Sequence, residues 1–254
     1  MLDRSKASRL KPLLQDKFLF LNNLKSLYQA VINPHNLNSY LWRVILMPTQ
    51  WVLASNNPGK LREIQQILVD LDIQLIPQKE FGFEEVEETG LSFIENSILK
   101  ARHASEHTGL PAIADDSGIE VVALNGEPGI YSARYAADDN YSGELDIANV
   151  DKLLRNMQNQ SNRQARFVCA ITLIRHKLDP TPAIFEGFWK GQINQQPSGE
   201  GGFGYDPIFF LEDQGCTSAE ISADHKAQLS HRGKALEKLK TFLTIESNAS
   251  LYKT

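Results

Sequence analysis

Trp51-Val52-Leu53-Ala54-Ser55-Asn56-Asn57-Pro58-Gly59-Lys60-Leu61 is the stretch from which the fold is read. A short apolar run suited to a buried strand ends in a dense cluster of turn formers. Leu61, Ile64, Ile67, Leu68 and Leu71 then recur at helical spacing. Strand, polar loop, helix is the order that sets backbone N–H groups at a helix N-terminus, where phosphate is welcome. The turn Ser55, Asn56, Asn57, Pro58, Gly59 adds one compact positive charge, Lys60. It is not a P-loop, because the G-x-x-x-x-G-K-[ST] spacing is absent. By itself, an ordinary turn with a helix-start lysine is the simpler reading.

The alternation continues downstream. Ile73–Ile76 reads as a second strand, and the acidic stretch Glu84-Glu85-Val86-Glu87-Glu88-Thr89-Gly90 follows it. Ser92-Phe93-Ile94-Glu95 matches a capping box, which predicts a helix to about His107. Pro111–Ala114 reads as a short buried strand ending in Asp115-Asp116-Ser117-Gly118, with Ile119–Leu124 as a further strand. A helix is expected over Glu144–Met157, paired strands over Phe167–Ile174 and Ile184–Ile193, and a last helix over about Gly233–Thr244. Alternating helices and strands imply an α/β architecture. The sequence shows no internal repeat and no low-complexity tract.

With 254 residues, 42% of them apolar, 16 Gly and 11 Pro, the chain has ordinary globular composition. A chain of this size buries a core without disulfides. Cys169 lies in an apolar run, where a buried thiol acts as a small hydrophobe, and Cys216 is far from it. Nothing points to an oxidising compartment.

The net charge of −5 hides an asymmetry. Residues 1–46 carry seven Lys and Arg against Asp3 and Asp16, a net +5 that leaves −10 on the rest. An acidic body argues against a phosphate-backbone footprint, so nucleic acid is not an expected partner. The apolar run Phe18–Leu21 is far too short to span a membrane. Asn22, Asn23 and Lys25 interrupt any signal-peptide core, and the two aspartates weaken a transit-peptide reading. Residues 1–46 are therefore expected to be a loosely ordered or partly helical extension before a domain at 47–254. Met47-Pro48 begins the new unit, and Met47 is an alternative start. A cytoplasmic location is expected.

Four further stretches carry chemistry. Glu87 and Glu88 are candidates for Mg²⁺, which takes one or two carboxylates plus substrate phosphates; a solvated charge run is the plain alternative. Glu95 is better explained as the partner of Ser92, while Lys100, two turns beyond Phe93, could face the same pocket. Asp115 and Asp116 directly after an apolar strand are costly unless metal-bound or hydrogen-bonded. Ligands of open α/β sheets collect at the carboxyl ends of strands. Gly201-Gly202-Phe203-Gly204-Tyr205-Asp206-Pro207 suits a backbone passing close to something flat, such as a purine stacked on an aromatic, with Asp206 near its polar edge. Lys226 with His231 and Arg232 offers donors for phosphates or purine keto oxygens. The other five histidines show no metal-like spacing.

Taken together these blocks resemble the HAM1-type inosine triphosphate pyrophosphatases, most closely the bacterial dITP/XTP pyrophosphatases. The resemblance covers about residues 51–244 and rests on Glu87–Asn96, Ala114–Gly118, Pro128–Tyr135, Gly201–Pro207 and Ser230–Gly233 in the family order. It implies an elongated α/β fold, a mixed central sheet flanked by helices, with a nucleotide cleft between two lobes. It also implies a homodimer, Mg²⁺ dependence, and cleavage of ITP, dITP or XTP to monophosphate and pyrophosphate. By the same resemblance, Ser55–Lys60 hold phosphates, and Asp116 is the proton acceptor for the attacking water. Asp116 is also a metal ligand, with Glu87 or Glu88 as the other. Lys100 and Lys226 contact the nucleotide, and Ser117, Phe203–Asp206, His231 and Arg232 complete the pocket. Many members carry Thr-Gly-Asn where this chain has Ser55-Asn56-Asn57, and Asn is expected to accept any positive φ the turn requires. The sequence leaves open a non-catalytic nucleotide sensor, a nucleic-acid binder using residues 1–46, and a pyrophosphatase for modified pyrimidine nucleotides.

Overall fold

The structure is a computed structural model that describes residues 49–68, 71, 73–138 and 143–245. The expected extension at 1–46 lies outside the described residues. Among these residues, seven strands form one mixed sheet in the order β2-β1-β3-β4-β5-β6-β7. The strands are β1 (Thr49–Leu53), β2 (Ile73–Pro77), β3 (Ala112–Val121), β4 (Gln164–Ile174), β5 (Ala183–Ile193), β6 (Phe209–Leu211) and β7 (Cys216–Thr217). The helices are α1 (Pro58–Leu68), α2 (Phe93–Thr108), α3 (Leu145–Asn156), α4 (Ala223–Leu229) and α5 (His231–Thr244).

The β1–α1–β2 unit is parallel, as the opening stretch predicts, and β1 also runs parallel to β3. The remaining pairs are antiparallel, with β4 and β5 forming the expected long hairpin. Side chains alternate across a strand, so each face acquires its own helices. Trp51 and Leu53 of β1 and Ile113 of β3 pack with Ile64 and Leu68 of α1 and Leu236 and Leu239 of α5. Val52 and Ala54, with Ala112 and Ala114 of β3, meet Ala101 and Ala104 of α2 on the other face. Those alanines leave little between helix and sheet, so α2 lies close to β3. The outer half of the sheet closes on a second core around Phe167, Trp189 and Phe209, under Leu153 of α3.

Three expectations about elements change. The strand expected to stop at Ala114 continues through both aspartates to Val121, and residues 122–124 form a 3-10 turn. β3 pairs with β1 only at Ala112 and Ile113 but with β4 along its whole length, so the antiparallel ladder carries it onward. The segment before the last helix is itself helical, α4, capped by the Ser222 hydroxyl accepting from the His225 amide. The last helix begins at His231, two residues earlier than expected, because the Ser230 hydroxyl caps it by accepting from the Gly233 amide. Its first turn lies directly on β5. A Cβ at Gly187 would meet the His231 carbonyl oxygen at 1.8 Å, so only glycine permits that approach.

Candidate active site

The turn after β1 is built by its own side chains. Asn57 Oδ1 accepts from the amides of Gly59 (2.8 Å) and Lys60 (3.3 Å), capping α1, with Pro58 in the first helical position. The Ser55 hydroxyl accepts from the Asn57 amide at 3.1 Å. These three amides are held within the turn itself, and the Lys60 ammonium turns to the Asp115 carboxylate, 2.8 Å away. Asn125 is the non-glycine with positive φ among the described residues, so the Ser55-Asn56-Asn57 variant turn asks nothing unusual of Asn56. Asn56 donates to Glu85 Oε1 at 2.7 Å, tying the turn to the acidic loop.

The continuous β3 sends the two aspartates to opposite faces. Asp115 points with Ile113 toward α1 and α5, where Lys60 Nζ lies 2.8 Å and an Arg232 nitrogen 3.4 Å from its carboxylate. Burial disfavours the Asp115 charge, but Lys60, Arg232 and Lys100 outweigh it and hold the carboxyl well below the usual range. Asp116 points with Ala114 toward α2. Lys100 Nζ lies 2.9 Å from Asp116 Oδ1 and 2.8 Å from Glu88 Oε1, and Arg134 holds Glu88 Oε2 at 2.8 Å. Here burial wins: the Asp116 carboxyl is raised above its ordinary value despite Lys100, and the neighbouring Glu88 charge adds to the rise. Burial also opposes the Glu88 charge, but Lys100 and Arg134 bring that carboxyl below its ordinary value. Glu88 and Asp116 both contact the Lys100 ammonium and are the pair of carboxylates that could share a cation, whereas Glu87 is exposed. Two carboxylates are the usual protein share of a Mg²⁺ site completed by phosphates and water. No cluster of three or more His, Cys, Asp or Glu side chains placed to hold a metal occurs among the described residues.

At the other end of the cleft, Phe203 stands 63% exposed between Gly202 (φ 77°) and Gly204 (φ 57°). Both glycines adopt the left-handed backbone that lets the loop lift an aromatic ring outward. The Lys226 ammonium sits 4.8 Å from the ring centroid. Asp206 is buried: its carboxylate accepts from the Phe203 amide (2.8 Å) and the Ser218 hydroxyl (2.8 Å) and pairs with Lys226. The buried Tyr205 hydroxyl donates to the Ser132 carbonyl at 2.8 Å. Asp206 and Tyr205 therefore hold the loop in shape while Phe203 presents its face.

His231 stacks on Phe167 with ring centroids 4.8 Å apart. Burial, with Arg232 and Lys226 nearby, lowers its pKa to about 3, so the imidazole is neutral at physiological pH. His231 Nδ1 and Arg232 Nε are buried without a hydrogen-bond partner among the described residues. Buried donors and acceptors in this state are rare and mark a place for a ligand or water.

These groups surround two adjoining cavities. One of about 860 Å³ is bordered by Phe203, Lys226, His231, Arg232, Ser117 and Asp116. Another of about 730 Å³ is bordered by Ser55, Lys60, Glu87, Glu88 and Lys100. Lys60, Glu88, Lys100 and Arg134 border both. Every expected site residue except Asn56, Pro58 and Gly59 borders a cavity, and those three shape the turn.

Residues 51–242 match the model of the Ham1 family. The chain belongs to the Ham1 family. Over 188 residues it is 53% identical to a dITP/XTP pyrophosphatase of Photorhabdus laumondii, covering 73% of this chain and 93% of that relative. Over 190 residues it is 51% identical to a dITP/XTP pyrophosphatase of Shigella flexneri, covering 74% and 94%. Among solved structures, a HAM1 protein from Coxiella burnetii superposes with TM-score 0.74 at 47% identity, over 77% of this chain and 98% of that one. The Staphylococcus aureus Ham1 protein gives 0.71 at 43% identity, over 78% and 100%. The seven-stranded mixed sheet flanked by helices is the fold that the resemblance implies.

Two contributors escape a reading of the residues alone. Arg134, the second cation on Glu88, lies in the Pro128–Tyr135 block but has no periodicity or spacing to single it out. Asn96 closes the Glu87–Asn96 block, yet only the folded chain shows it against Asp116.

Proposed function

We propose that the protein hydrolyses non-canonical purine nucleoside triphosphates, ITP, dITP and XTP, to the monophosphate and pyrophosphate in a Mg²⁺-dependent reaction. The observation that carries the proposal is the division of labour between adjacent aspartates. Asp115 is locked as an anion between Lys60 and Arg232, while Asp116 keeps a raised proton affinity beside Glu88. Neighbouring carboxylates driven in opposite directions are the mark of separate chemical roles. In this reading the nucleoside occupies the larger cavity, with its base on Phe203, and the phosphates pass Lys60 and Lys100 into the smaller one. Asp116 takes the proton of the water that attacks the α-phosphorus. Lys60 and Lys100 supply fixed positive charge along the phosphates. Glu88 and Asp116 would hold Mg²⁺, which when bound neutralises the charge gathering on the departing pyrophosphate. The reading extends to a homodimer in the cytoplasm that keeps deaminated purines out of DNA and RNA.

Base choice follows from donors. Arg has no acceptor, so Arg232 suits the 6-keto oxygen of hypoxanthine or xanthine and is left unpaired by the amino group of adenine. Sites built to pair with one polar group reject its analogue strongly. A turnover panel of purine and pyrimidine triphosphates with Mg²⁺, read as pyrophosphate release, tests the activity. Preferred turnover of modified pyrimidines, or binding without release, would replace the proposal with a rival. Within that panel, Arg232→Ala is expected to narrow the ITP-to-ATP ratio of kcat/KM by about tenfold or more, the scale of one lost hydrogen bond. If both substrates weaken alike, Arg232 serves the phosphates instead.

A further inference from the structure

Glu88 and Asp116 come from a loop and a strand separated by 28 positions, so something must set their spacing. Lys100 bridges them, but a flexible lysine on four methylenes tolerates many separations. Asn96, in the first turn of α2, is fully buried, with 0% exposure. Its Oδ1 accepts from the Gly90 amide at 2.8 Å, two residues after Glu88, and its Nδ2 donates to Asp116 Oδ2 at 3.3 Å. A backbone N–H can only donate, which fixes which way round the Asn96 amide stands. The next amide, Leu91, is taken by Glu95 Oε2 at 2.8 Å, so consecutive loop amides are pinned to α2. The loop sits flush there: a Cβ at Gly90 would meet Asn96 Oδ1 at 2.7 Å and Glu95 Cβ at 2.6 Å.

We propose that Asn96 is the positioning residue that sets the separation and orientation of the Glu88 and Asp116 carboxylates as a cation-binding pair. One rigid, buried amide contacts Asp116 directly and holds the backbone that delivers Glu88. The inference rests on the assignment of those two carboxylates to the metal under the proposed function. Groups that orient metal ligands typically contribute about 10- to 100-fold to affinity or activity.

The test is Mn²⁺ titration of the full chain without nucleotide, read by electron paramagnetic resonance, beside thermal melting and turnover with Mg²⁺. Asn96→Leu removes both contacts at similar volume, and Gly90→Ala lifts the loop from an unaltered Asn96. Both are expected to bind Mn²⁺ at least about tenfold more weakly, to need correspondingly more Mg²⁺ for half-maximal turnover, and to change KM for nucleotide little at saturating Mg²⁺. Ser105→Ala is the control for a purely structural effect. Its buried hydroxyl donates to the Leu110 carbonyl from the far end of the same helix, and it should bind Mn²⁺ as wild type does. Wild-type Mn²⁺ affinity in either folded variant, or an equal loss in Ser105→Ala, overturns the proposal. A wild-type chain that binds no Mn²⁺ overturns it together with the metal assignment. Asn96-dependent Mn²⁺ binding in a chain that cleaves no purine triphosphate leaves it standing and removes only the substrate reading.

Discussion

Replacing Asp116 by asparagine is expected to lower kcat by at least about 100-fold, the scale of lost general-base catalysis, while the melting transition stays in place. Such a loss corresponds to about 2.7 kcal/mol of transition-state stabilisation. Asparagine matches the aspartate in volume, and its side-chain oxygen can still accept from Lys100, although its NH2 replaces the oxygen that accepts from Asn96. The packing of α2 on β3 rests on Ala101, Ala104, Ala112 and Ala114 and persists. What asparagine lacks is the negative charge of a carboxylate and the ability to take a proton. The native carboxyl sits where burial raises its proton affinity against the pull of Lys100 and Asn96, which brings a base closer to the pH at which it works. Steady-state pyrophosphate release beside a melting curve decides the matter. Turnover near the wild-type value would remove Asp116 from the chemistry.

The legible parts of the sequence are those whose cause is local. Ser92 and Glu95 announce the start of α2 because a capping box is made within four residues. Likewise, the turn formers after Ala54 announce the β1-to-α1 junction, which Asn57 caps. The adjacent aspartates mislead because two consecutive carboxylates read as the end of a buried strand. The cations that stabilise Asp115 inside β3 come from Lys60 and Arg232, 55 and 117 positions away, and no local pattern reveals them. Helix α4 stays hidden for another reason: it is seven residues long and has no fully buried residue, so no apolar period marks it. Family resemblance named Lys100 and Arg232, but it did not say what they hold in the free protein. Only the folded chain shows that both are already engaged by the two aspartates.

That engagement makes Asp115→Ala the more damaging change for the fold. The Asp115 side chain is 1% exposed, and it is the anion between the first turns of α1 and α5, which bring Lys60 and Arg232. Removing one member of a buried ionic group commonly costs about 3–5 kcal/mol, because the remaining charge stays desolvated. Lys60 keeps 19% of its side chain exposed and can turn toward water, whereas Arg232 keeps 11% and, among the described residues, has Glu63, at 3.7 Å, as its other anion. The expected loss in Asp115→Ala is therefore about 3 kcal/mol, toward the lower end of that range. The space left opposite Ile171 of β4 adds to it. Because the same carboxylate sets the direction of both cations, activity should fall even where the variant is fully folded. That fall should appear in KM as well as kcat, since Lys60 and Arg232 are assigned to phosphate and base. Urea unfolding with steady-state kinetics below the transition measures both effects. A variant with wild-type stability would show that Lys60 and Arg232 are solvated well enough to stand without Asp115, and the anchoring role would fall.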